Sequence, residues 1–123
     1  MSDGLDKGIQ IFRELMPGVD VDLRDGLFAD ELLEIGFESV FGKLWSRDGL
    51  SRRDRSLVTL GILIAQRSAE ELRSHFAIAR TNGLTETELA EVIYHATGYA
   101  GFPAANTARA AAIEALEHHT PRA

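Results

Sequence analysis

Leu57-Val58-Thr59-Leu60-Gly61-Ile62-Leu63-Ile64-Ala65 is the stretch on which the fold turns. A short apolar run of this kind fits a buried strand or a buried helix, and periodicity alone does not separate them. The residues upstream decide. Ser51 can cap a helix, with Asp54 three residues on as an imperfect capping-box partner. The segments on both sides also carry helical spacing, so the run reads as a helix entered near Ser51. It is apolar almost all round, and in a chain of 123 residues such a helix must be covered on every side. That points to burial in an oligomer.

Outward from this helix the signals stay helical. On the N-terminal side, Leu5, Ile9, Phe12 and Leu15/Met16 recur at spacings of three and four, and Pro17-Gly18 ends the segment. A loop from Val19 to Gly26 leads to a second pattern at Leu32, Leu33, Phe37, Val40, Phe41, Leu44 and Trp45, which Asp48-Gly49 breaks. On the C-terminal side, Ser68-Ala69-Glu70-Glu71 reads as a capping box opening a helix that Gly83 closes. Thr85-Glu86-Thr87-Glu88 reads as another, opening a helix with Leu89, Val92, Ile93 and Ala96 on one face. Gly98, Gly101 and Pro103 are expected to interrupt it, and Pro103 suits the first turn of the next helix. That last helix holds seven alanines between Ala104 and Ala115, small enough for backbones to approach closely. The expectation is an all-α, single domain over residues 1–123, with five or six helices and frayed ends at 1–4 and 118–123.

The bulk composition excludes several classes. A net charge of −6 argues against nonspecific binding to nucleic acid or to an anionic membrane. The absence of cysteine removes disulfides, zinc–thiolate sites and thiol nucleophiles, and it fits a cytoplasmic setting. The first residues carry no basic-then-apolar pattern, so no secretory leader is expected. The longest apolar run is about half of the roughly 20 residues a membrane span needs. No metal is expected: His118-His119 falls in the tail, and no other histidine pair has carboxylate partners at ligand spacing. Neither a phosphate loop nor a nucleotide fingerprint is present, so no cofactor is expected.

The residues that could carry chemistry lie on the helices after Ser51. Glu71 and His75 sit four apart and share a face, as a general acid–base pair would. The plainer reading makes Glu71 the third residue of its capping box. His95 and Tyr99 repeat the spacing, and the plainer reading is a buried histidine and a core aromatic. Arg52, Arg53 and Arg55 crowd the first turn of a helix, where the dipole favours acidic side chains. They could hold a carboxylate with the free amides there, or form a solvated face pairing with Asp48 and Asp54. Arg55, next to the apolar run, is the better carboxylate ligand.

The order from His75 to Asn82-Gly83, then His95, Tyr99, Gly101, Pro103 and Ala104, resembles the carboxymuconolactone decarboxylase family, over about Phe37 to Leu116. The resemblance implies an all-helical fold and a trimer or hexamer. The family's redox branch, typified by alkylhydroperoxidase D, carries two cysteines and a relay glutamate where this chain has Ser68, Glu71 and Ser56. A thiol peroxidase is thereby excluded. What remains resembles the branch that converts γ-carboxymuconolactone to an enol-lactone and CO2 in aromatic catabolism, without cofactor. On that reading the partner is a small carboxylic acid or lactone. Arg55 would bind a carboxylate, and His75 would supply the proton, oriented by Glu71. His95 and Tyr99 would donate hydrogen bonds to substrate oxygens. The alternatives are an isomerase or tautomerase using the same histidine, and a non-catalytic oligomeric binding protein.

Overall fold

In a computed structural model, residues 2–117 are described, together with every side chain among them except that of Glu117. All regular structure among these residues is helical, in six helices if a π-helical segment is counted with the helix it continues. The expected fraying at 118–123 and the pair His118-His119 lie outside the described residues. The chain folds as two compact units, Met1–Leu50 and Ser51–Ala123.

In the first unit, α1 spans Asp3–Leu15. Ser2 caps it by accepting the Leu5 N–H, so residues 2–4 are ordered cap and first turn, contrary to the expected fraying. Leu5, Gly8, Ile11 and Leu15 form its buried stripe. α2, Leu32–Gly36, runs directly into a π-helical segment, Phe37–Leu44. Phe37 and Trp45 are buried along it, and the Phe37 and Phe41 rings pack edge to face 5.3 Å apart. Phe12 of α1 meets Phe37 and Phe41 with ring centroids 4.8 and 5.3 Å away. The two backbones touch: a Cβ on Gly8 would stand 2.2 Å from the Phe37 carbonyl oxygen, and one on Gly42 2.4 Å from that of Gly4. Only glycine fits there.

The second unit holds α3 (Arg52–Ala65), α4 (Ala69–Thr81), α5 (Glu86–Ala100) and α6 (Phe102–Glu117). The helix reading of the 57–65 run is correct. Ser51 accepts the Asp54 N–H at 3.0 Å, as its cap reading requires. Leu60 and Ile64 are fully buried, but Val58 and Ile62 are about half exposed, so within one chain α3 buries a single side. Its end is a Schellman turn built on Arg67 at φ +53°, with Arg67 N–H to Ile64 O and Ser68 N–H to Leu63 O.

That turn corrects the capping box expected at Ser68. Ser68 is the N-cap of α4, yet its side chain makes no capping bond. Its backbone is committed to closing α3, which leaves ψ at 76° in place of the extended value that aims a hydroxyl at the first turn. The box at Thr85 forms in both halves. Gly98 does not interrupt α5, which continues to Ala100; Gly101, at φ +95°, makes the break before Pro103. The core gathers Leu60, Ile64, Leu72, Phe76, Leu84 and Leu89 around α6, whose buried face is alanine at 104, 105, 108, 111 and 112.

Candidate functional site

α3 and α5 lie side by side, and small residues decide the gap between them. Leu57, Gly61 and Ala65 form the α3 wall, and Gly61 has nothing within 4 Å of where a Cβ would sit. A mid-helix glycine costs about 1 kcal/mol against alanine. Here it serves no tight packing and leaves open space. The result is a cavity of about 790 Å³, within the range of small-ligand sites. Its α5 wall carries Thr87, Glu91, His95 and Tyr99, one residue per turn, with Glu88 and Val92 beside them.

His95 and Tyr99 meet on this wall, with ring centroids 5.2 Å apart and planes tilted by 37°. Neither is the core residue of the plainer reading: His95 is exposed and Tyr99 is 87% exposed. Glu88 lies at the edge, where the Thr85 backbone N–H and then the Arg53 guanidinium hold its carboxyl below the ordinary value. Arg53 thus pairs across to α5, and also lies 3.9 Å from Asp54 as the solvated-face reading expected.

The other site residues are elsewhere. At the seam of α3 and α4, Asn82 donates to the buried Ser56 hydroxyl at 2.9 Å and to the Arg52 carbonyl at 3.3 Å. His75, two turns before Asn82, shares the α4 face that meets this seam. Its Nδ1 is shielded from solvent, as is Nε of Arg55 on α3. Burial pushes the His75 imidazole down from 6.5 to about 4, so it is neutral at pH 7. Glu71 is exposed one turn before it. The structure therefore brings His95 and Tyr99 together in the cavity, whose walls do not include Arg55, Glu71 or His75. Among the described residues no cluster of three or more metal-ligating side chains forms, and no helix is long and apolar enough to cross a membrane.

Reading the sequence missed Glu91 and Thr87, although they precede His95 by four and eight residues, on the same face of the helix. The pairings Arg53–Glu88 and Ser56–Asn82 join residues 35 and 26 positions apart and leave no local signal.

Comparison with known proteins shows the family. The chain is 46% identical over 77 residues to a 4-carboxymuconolactone decarboxylase of Acinetobacter baylyi, a match covering 63% of this chain and 58% of that protein. It is 38% identical over 101 residues to a nitrosuccinic acid decarboxylase of Metarhizium robertsii, covering 80% of this chain and 71% of the relative. An uncharacterised 15.0 kDa protein of Paracoccus denitrificans is 36% identical over 69 residues, or 54% of this chain and 52% of its own length. The model of the carboxymuconolactone decarboxylase family matches residues 31–114, which include the π segment, both cavity walls and the His75 seam. With most of its length matched in this way, the chain belongs to the carboxymuconolactone decarboxylase family.

Proposed function

We propose that this chain is a carboxy-lyase that works without a cofactor, as a homo-oligomer, on a small acid. Its departing carboxylate sits on a carbon whose electrons can pass to an acceptor group. The observation that carries this reading is His95 beside Tyr99 on the wall of a cavity of about 790 Å³. The names of two relatives support it, because their substrates make the same demand. In 4-carboxymuconolactone the electrons left by CO2 can spread to the lactone carbonyl oxygen. In nitrosuccinic acid the nitro group can take them. Either reaction needs hydrogen bonds to an oxygen that turns negative and a proton returned to carbon. We assign the hydrogen bond to the Tyr99 hydroxyl and the proton to His95.

A second assignment places the chemistry at the α3–α4 seam, where Arg55 would grip a carboxylate and His75, beside Glu71, would move the proton. The displaced titration of His75 favours it, since strongly perturbed groups collect at functional sites. Against it, an imidazole with a value near 4 is charged in only roughly one molecule in a thousand at pH 7.

Turnover in D2O tests the reaction class. The expected outcome is CO2 released in step with a product bearing one deuterium, on the carbon α to the lactone carbonyl of the enol-lactone from 4-carboxymuconolactone, or on the nitro-bearing carbon from nitrosuccinate. Deuterium entering unreleased substrate would instead mark an isomerase, and ligand-induced stabilisation with no turnover a binding protein.

A further inference from the structure

We propose that Glu91 is the positioning residue for His95. Its carboxylate accepts a hydrogen bond from one imidazole N–H and leaves the other ring nitrogen to face the substrate. The inference rests on the reading that His95 works in the α3–α5 cavity. Thr87, Glu91, His95 and Tyr99 all line that cavity at intervals of four. Side chains on a helix lean toward its N-terminus, so each covers the turn before its own. The Tyr99 and His95 rings lie 5.2 Å apart, as that lean requires, and Glu91 is the side chain one turn before His95 on the same wall.

The surroundings leave this part to Glu91. Facing it, Leu57, Gly61 and Ala65 of α3 bring no titratable group. Glu88 is committed to Arg53 and to its capping box, and Glu91 has no such commitment among the described residues. The flank of α5 that meets α6 carries Glu86 and faces Arg109, on the side away from His95. A second carboxylate on the wall of a cavity for an anionic substrate is a cost by like-charge repulsion. Fixing the tautomer of His95 offsets that cost.

The test compares wild type with Glu91→Gln, Glu91→Asp and His95→Ala. It measures kcat and KM across pH with 4-carboxymuconolactone, and the NMR titration of the His95 ring. Glu91→Gln is expected to lower kcat roughly tenfold or more without raising KM. It should move the His95 titration to lower pH, and Glu91→Asp should restore part of both. If Glu91→Gln leaves kcat and the His95 titration at wild-type values while His95→Ala abolishes turnover, the role of Glu91 is overturned and the cavity reading stands. If His95→Ala turns over normally, the cavity reading fails, and an unmoved His95 titration in Glu91→Gln then overturns the pairing as well.

Discussion

His75 and His95 show how differently one residue type can be placed in a small helical protein. His75 is shielded at a helix seam, and burial holds it near 4. Because the folded value lies below the unfolded 6.5, the unfolded chain binds a proton first as pH falls. The contribution is intact above about pH 6.5 and is lost progressively down to about pH 4. Urea unfolding should therefore show wild type losing on the order of 2 kcal/mol more than His75→Gln between pH 7 and pH 4.5. Parallel losses in the two proteins would contradict the buried neutral imidazole. The sequence made both histidines legible as candidates through their partners four residues away. It did not give their burial: the apolar neighbours of His95 suggested a core histidine, whereas the helix turns it into an open cavity. The link from Asn82 to Ser56 explains the Asn82-Gly83 pair by packing, since it satisfies a hydroxyl that is 1% exposed.

At the scale of elements, the helices were legible because their caps and apolar stripes are local. Ser51, Thr85 and Pro17-Gly18 act where they were read. Ser68 failed as a side-chain cap because the preceding turn, closed on Arg67, had already fixed its backbone, and no local pattern carries that. The π pitch of residues 37–44 was hidden for a related reason, since its apolar residues fit a helical pattern of either width. The α3–α5 cavity depends on Gly61, and this gives a prediction in which stability and activity part company. Gly61→Leu should gain up to roughly 0.8 kcal/mol of helix stability and lose at least roughly tenfold in turnover, by filling the cavity. Thermal melting and a rate assay on the same sample measure both. A variant that is stabilised and fully active would show that the substrate does not bind there.

At the scale of the whole molecule, each unit leaves apolar side chains uncovered. In the first, Leu27, Phe28, Leu32 and Ile35 are exposed; in the second, Val58, Ile62, Tyr99 and Phe102. Such surface usually marks an interface. We expect light scattering to give a multiple of the 13.5 kDa chain mass, and Ile62→Asp to lower it. A monomeric wild type would contradict that expectation. The family was legible in the order of residues from His75 to Ala104, and the model match over 31–114 includes that stretch. Which of those residues share a cavity was not legible, because it depends on which helix lies beside which. The most direct measurement of the central claim is CO2 release from 4-carboxymuconolactone by wild type, His95→Ala and His75→Ala, each checked for native helicity and assembly. The account predicts saturable release that falls at least roughly a hundredfold in His95→Ala and less in His75→Ala. No release from the folded wild type would contradict the decarboxylase, and a collapse confined to His75→Ala would move the chemistry from the cavity to the α3–α4 seam.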